Sequence, residues 1–157
     1  MTGQDEREKP LVEDVTAITP APDEETAFFW EAARQEKLMI LQCDKCGYYV
    51  HWPRSVCKRC LSFQLTPSEV SGRGVVYTYA VGVQAFHPWF EGRLPYLLAV
   101  VELEEQPNLR LVTNLVECTE EDAHINMPVE VTYEHVNAEM TLPMFRPIRV
   151  ASVKDEA

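Results

Sequence analysis

Long apolar runs are missing from this sequence. Even Tyr96-Leu97-Leu98-Ala99-Val100-Val101 stops at Glu102, far short of the ~20 residues a membrane-spanning helix needs. That absence predicts a soluble, cytoplasmic protein. Positive charge is scarce: 14 Lys and Arg face 25 Asp and Glu, a formal net charge of −11. Such a balance opposes general attraction to nucleic acid, whose phosphates are bound largely through Lys and Arg. The histidines are His51, His87, His124 and His135, and no two stand at metal-ligand spacing. No nucleophile accompanies a base in a usable pattern, and Gly72-Arg73-Gly74 is too short to cradle a phosphate. Autonomous catalysis therefore lacks its parts, and no residue is assigned a catalytic role.

What is present is a set of four cysteines, Cys43, Cys46, Cys57 and Cys60, in the order C-x2-C-x10-C-x2-C. A two-residue gap lets both thiolates of a pair face one point. Two such knuckles bring four sulfurs around it, the tetrahedral set preferred by structural Zn2+. Gly47 after the first knuckle supplies the positive φ of a tight turn; Leu61 holds the equivalent place after the second. Two disulfides are the competing arrangement. No signal-peptide pattern precedes the cysteines and the leader is acidic, which argues against an oxidising compartment. Iron is the chemical rival, because tetrahedral sulfur suits it as well. With four protein ligands the metal has no open position, so one structural zinc acting as a fold staple is expected.

Charge is unevenly spread. Residues 1–36 carry ten acids and three bases, and residues 61–157 fourteen acids and six bases. Residues 37–60 carry five bases (Lys37, Lys45, Arg54, Lys58, Arg59) and one acid, Asp44. This basic island either decorates exposed knuckles and offsets thiolate charge, or forms a contact surface for an acidic partner or a phosphate-bearing ligand.

Along the chain, residues 1–22 read as a flexible arm with Pro10, Pro20 and Pro22. Asp23 is placed to cap a helix from Glu24 to about Lys37, with acids in its first turn and Lys37 at its end. Residues 38–66 form the ribbon, whose small core the metal must supplement. Residues 67–150 carry the β pattern. Val75 to Val83 alternates, with Val75, Tyr77, Tyr79, Val81 and Val83 on one face. Further strands are expected at Tyr96–Leu103, Leu109–Glu117, Val129–Val136 and Leu142–Val150. Pro143 and Pro147 in the last of these suit an edge. Five strands and one helix predict a mainly β protein: an N-terminal helix, a rubredoxin-like zinc ribbon and a five-stranded OB-fold barrel. Residues 151–157 read as a frayed tail.

The order of motifs resembles a known family. An aromatic-rich helix precedes the C-x2-C-G…C-x2-C ribbon, Ser71-Gly72-Arg73-Gly74 opens the barrel, Pro95-Tyr96 precedes a Val-Glu-Leu strand, and Phe145-Arg146-Pro147 closes the pattern. This is similar to the thiolase-associated zinc-ribbon plus OB-fold proteins, over about residues 23–150. One departure is Asn126-Met127, where that family usually shows Gly-Met; Asn tolerates the left-handed region. The resemblance implies an accessory subunit of a thiolase or thiolase-like aldolase, such as a steroid side-chain aldolase or degradative thiolase, or of an acyl-CoA hydratase. The partner would hold the reacting groups, and this chain would help enclose the CoA thioester. A nucleic-acid module is the alternative, since ribbons and OB-folds both do that work.

On that footing Tyr77 and Tyr79, flanked by Arg73, Arg93 and Arg146, form a candidate acyl-CoA face. His87, in an aromatic loop, is the best placed of the histidines for it. Barrel-core packing of the tyrosines is the simpler reading. Phe28, Phe29, Trp30, Trp52, Arg54, Phe86 and Trp89 are candidate partner contacts, the helix aromatics having the protein's own core as their other destination. Cys118, the fifth cysteine, reads as a small buried hydrophobe.

Overall fold

The computed structural model describes residues 17–148. Asp23 organises the first turn: its Oδ1 accepts from the Thr26 amide at 2.8 Å and the Thr26 hydroxyl at 2.6 Å. Those bonds hold its carboxyl below the usual range. The regular helix α1, Ala27–Arg34, follows, shorter at both ends than the charge pattern suggests. Its buried side chains are Phe29 and Ala33, one turn apart on one face.

The ribbon is an antiparallel sheet of three strands, β1 (Met39–Cys43), β2 (Tyr49–Val50) and β3 (Leu65–Glu69), in the order β2-β1-β3. Leu38 and Ile40 at the start of β1 are buried in the same core cluster as Phe29 and the barrel residues. Ribbon, helix and barrel therefore share one hydrophobic interior.

Five strands close the barrel: β4 (Arg73–Gly82), β5 (Tyr96–Leu103), β6 (Arg110–Leu115), β7 (Pro128–His135) and β8 (Thr141–Pro147), in the order β4-β5-β6-β8-β7. Two expectations change here. First, β8 is not an edge. It lies between β7, with which it pairs over seven residues, and β6, which it meets in parallel at Leu115 and Phe145. Its prolines are tolerated because the β6 contact is short; the Thr113 hydroxyl adds a bond to the Pro143 carbonyl at 3.0 Å. Second, β4 does not keep one face. Val76 opposes Val101 and Thr78 opposes Val100, leaving Tyr77 as the extra residue of a bulge. Val76 is fully buried before the bulge, Tyr79 and Val81 pack on the core after it, and Tyr77 turns outward.

The Ser-Gly-Arg-Gly segment serves this closure. Gly72 sits at φ +71, and a Cβ there would overlap the Val131 side chain of β7; a Cβ on Gly74 would overlap the Glu102 carbonyl of β5. Phe145 of the Phe-Arg-Pro segment is fully buried, and its carbonyl accepts from the Val116 amide at 2.8 Å. Asn126 takes φ +66, so asparagine supplies the left-handed turn before β7. Among the described residues no helix is long and apolar enough to cross a membrane.

Candidate functional site

Each knuckle is built by the same backbone bonds. The Gly47 amide donates to the Cys43 carbonyl at 2.8 Å, and the Leu61 amide to the Cys57 carbonyl at 2.9 Å. Amides return from Cys43 to Tyr48 and from Cys57 to Ser62, each at 2.9 Å. Both turns need a left-handed residue: Gly47 has φ +70 and Leu61 adopts φ +59. Leucine thus takes the conformation that glycine takes in the first knuckle.

The four Sγ atoms lie within 4.8 Å of one another. Cys43 and Cys60 are 3.5 Å apart, Cys46 and Cys57 3.7 Å. A tetrahedron with Zn–S bonds of about 2.3 Å has edges of about 3.8 Å, whereas a disulfide needs about 2.05 Å. The spacing fits one zinc ion and not two disulfides. Burial alone would raise the Cys43 thiol, but amides of Cys46 and Lys45 aimed at its sulfur bring it down to about 6. Cys57 is lowered in the same way by Cys60 and Arg59, against burial. Cys46 has an amide of Tyr48 to favour its thiolate, yet burial and its sulfur neighbours push it up to about 12. Four adjacent thiols do not all ionise unaided; a dication resolves the conflict. With every position filled by protein sulfur, the ion's contribution is structural.

The ribbon is stitched to the barrel by one side chain. Gln106, in the β5–β6 turn, accepts from the Tyr49 amide at 2.9 Å and donates to the Tyr49 carbonyl at 3.1 Å. Above this junction His51 stacks on Trp52, ring centres 4.5 Å apart, and lies 6.3 Å from Phe29. Burial lowers the His51 imidazole to about 4, so it is neutral at physiological pH.

Two apolar hollows run along the barrel wall from this stack. One, of about 340 Å³, is lined by Phe29, Trp30, His51, Trp52 and Val112 among others. The next, of about 680 Å³, reaches Trp89, Phe90 and Arg93. They share Pro20, Asn114, Leu142 and Met144 and so form one trough. Beside it the middle of the outward face of β5 and β6 is apolar, with Leu98 44% exposed, Val112 62% exposed and Val100 opposite Val112, while the Glu102–Arg110 pair marks its polar end. A solvated barrel strand ordinarily places polar residues there.

The candidate acyl-CoA residues do not assemble on one surface. Tyr77 lies outward with the Arg110 guanidinium 3.5 Å over its ring. Tyr79 is half-buried, its hydroxyl bonded to the Ala123 carbonyl at 2.8 Å. Arg73 borders a separate hollow of about 440 Å³ near Pro107 and Pro128. Arg93 does line the trough, paired with Glu134 at 2.7 Å and stacked on Trp89 at 4.1 Å. Arg146 binds Glu130 at 3.1 Å and Glu117 at 3.3 Å; Glu117 borders the trough. His87 caps the 3-10 turn Pro88–Arg93, its Nδ1 accepting from the Trp89 amide at 3.2 Å.

Of the candidate partner contacts, Phe29 belongs to the core, and Phe28 and Trp30 pack half-buried against it. Trp52 is 51% exposed and Phe86 82%. Trp89 is half-buried and Arg54 exposed. Cys118 is half-buried, and burial with the nearby Asp122 raises its thiol. Sequence reasoning missed Gln106, Leu98 and Val112. Leu98 had a visible signal, since Tyr96–Val101 is apolar at both parities, as a strand covered on both sides would be; Val112, between Arg110 and Asn114 on its face, had none.

A tetrathiolate ribbon fused through a shared core to a closed five-stranded barrel defines a two-part zinc-ribbon and OB-fold protein. Comparison with known proteins gives the same division. Residues 30–66 match the rubredoxin-like zinc ribbon domain of ChsH2 and residues 68–134 its C-terminal OB-fold domain. The chain belongs to this ChsH2-type DUF35 family. A solved structure described as an Ltp2-ChsH2(DUF35) aldolase is 42% identical, with a TM-score of 0.75, over 82% of this chain and 98% of that one. A probable enoyl-CoA hydratase alpha subunit of Thermomonospora curvata is 42% identical over 82% of this chain. The match spans only 39% of that relative's length. A DUF35 domain-containing scaffold protein of Methanocaldococcus jannaschii is 32% identical over 68% of this chain and 75% of its own.

Proposed function

We propose that this chain is an accessory, non-catalytic subunit of a thiolase-superfamily enzyme complex acting on acyl-CoA thioesters, such as an aldolase that shortens a steroid side chain or a degradative thiolase. Its part is to stabilise the assembly and help enclose the thioester, while the partner holds the reacting groups. The observation that carries this reading is the apolar outer wall of β5 and β6 beside an open apolar trough. Exposed aliphatic surface of this kind marks an interaction site. The solved aldolase of a close relative and the scaffold and hydratase-subunit names of others support the same reading.

The test is co-expression with a thiolase-superfamily subunit encoded beside it, followed by size-exclusion chromatography. A stable hetero-oligomer is expected for the native chain. Leu98→Asp with Val112→Asp should dissociate it while zinc content stays at one per chain. Salt-sensitive retention on single-stranded DNA, with no hetero-oligomer formed, would replace this reading by the nucleic-acid one.

A further inference from the structure

The cations of this acidic chain are used in two ways. In the barrel, Arg93, Arg110 and Arg146 each hold a carboxylate, at 2.7, 2.8 and 3.1 Å. In the ribbon, Lys45, Arg54, Lys58 and Arg59 are exposed, and none pairs with a carboxylate among the described residues. Two of them, Arg54 and Lys58, converge on a cleft of about 520 Å³ at the ribbon–barrel junction. Tyr48, Trp52, Gln106 and Asn108 help line it, and among the described residues no carboxylate does. The Lys58 ammonium stands 5.3 Å from the centre of the Tyr48 ring. Gln106, bonded both ways to Tyr49, fixes the floor.

We propose that this cleft receives the nucleotide end of a thioester carrier, with an aromatic base against Trp52 and Tyr48 and its phosphates against Arg54 and Lys58. The proposal rests on the acyl-CoA reading above and gives that ligand a second anchoring point. Three features converge on it. The cleft has the size of a small-molecule site. Its two cations pair with no acid among the described residues, and phosphate oxygens are strong acceptors for guanidinium and ammonium groups. Its aromatic walls suit a stacked base. An acidic peptide would answer the charges and leave Trp52 and Tyr48 without a role. The cleft also adjoins the apolar trough, since His51 and Trp52 line both. A ligand with an apolar end and a phosphorylated aromatic end therefore finds matching surfaces on the two sides of one indole.

The experiment is titration of the full-length, zinc-loaded chain with adenosine 3′,5′-bisphosphate, coenzyme A and ADP, followed by tryptophan fluorescence and calorimetry. Saturable binding of the bisphosphate and of coenzyme A is expected. Arg54→Ala and Lys58→Ala should each weaken it about tenfold, the loss typical of one charge-assisted hydrogen bond. Absent bisphosphate binding, or binding that both variants leave unchanged at native zinc content, overturns the assignment. Equal affinity for ADP overturns the thioester carrier as the source. Full displacement by a short poly-glutamate peptide, with no fluorescence change on bisphosphate addition, overturns it in favour of an acidic protein partner. The same variants are carried through the co-expression assay. A native chain that forms the hetero-oligomer yet binds no bisphosphate sinks this proposal alone. Intact nucleotide binding without any hetero-oligomer sinks the accessory-subunit reading alone.

Discussion

Gln106 meets Tyr49 as a neighbouring strand would: its amide gives one hydrogen bond to the Tyr49 carbonyl, at 3.1 Å, and takes one from the Tyr49 amide, at 2.9 Å. The edge of β2, only two residues long, is thereby paired to the barrel through a side chain. Losing both bonds at a half-buried site costs about 1–3 kcal/mol. Gln106→Leu should lower stability by that amount and speed amide exchange at Tyr49 more than anywhere in the barrel. Uniform protection in the variant would mean that the shared core alone fixes the ribbon.

Zinc removal should act locally first. Structural zinc at cysteine sites contributes about 10 kcal/mol or more to the folding of small domains. Cys43→Ser, or strong chelation of the native chain, should drop metal content from one zinc per chain and abolish amide protection across Met39–Glu69. Full protection of that segment in metal-free protein would contradict the fold-staple role.

Leu61 is exposed at 71% and holds φ +59. A left-handed backbone costs a β-carbon-bearing residue about 1–2 kcal/mol. Leu61→Gly should therefore raise stability at saturating zinc by about 1 kcal/mol, seen as a higher denaturant midpoint with an unchanged slope. A lower midpoint would show that the leucine side chain repays the strain through a contact of its own.

His51 makes stability depend on pH. Its imidazole is lowered to about 4 in the folded chain by burial, while an unfolded histidine titrates near 6.5. The unfolded state therefore binds the proton more readily between those values. The contribution of neutral His51 is complete above about pH 6.5 and is lost as pH falls towards 4. From pH 7 to pH 5 the loss amounts to about 2 kcal/mol. His51→Phe should remove that part of the acid sensitivity, leaving the decline that comes from the other groups, the lowered Asp23 carboxyl and the metal-binding thiolates among them. Parallel stability–pH curves for variant and native chain would show that the imidazole titrates normally.

The metal centre was legible because two-residue gaps constrain sulfur geometry whatever surrounds them. The strands β4 and β5 were legible because β-branched and aromatic residues crowd both. What stayed hidden depended on partners distant in sequence. Strand β3 reads Leu-Thr-Pro-Ser-Glu, with no alternation; it extends because five residues pair with β1 across the second knuckle. The Tyr77 bulge follows from the register with β5, which a single strand does not encode. Pro143 and Pro147 point to an edge until one knows that the neighbour on that side is a short parallel contact. Gln106 sits in a Glu-Gln-Pro-Asn turn like any polar loop residue, and its partner lies 57 positions away. The phosphate-binding option raised by the basic island was visible in charge counts, but the convergence of Arg54 with Lys58 needed the folded junction.

The position of β8 has a consequence for synthesis. It is the keystone of the barrel, yet it is the last of the five barrel strands in chain order. Until residues 141–147 have left the ribosome, β6 has nothing on its outer side and β7 is held to β4 by three residue pairs alone. A nascent or prematurely terminated chain ending before Thr141 would expose two raw strand edges and an empty seat for Phe145. Such edges recruit other chains. The closing strand thus gives the barrel its quality check: it seals only when the last of its own strands has been made.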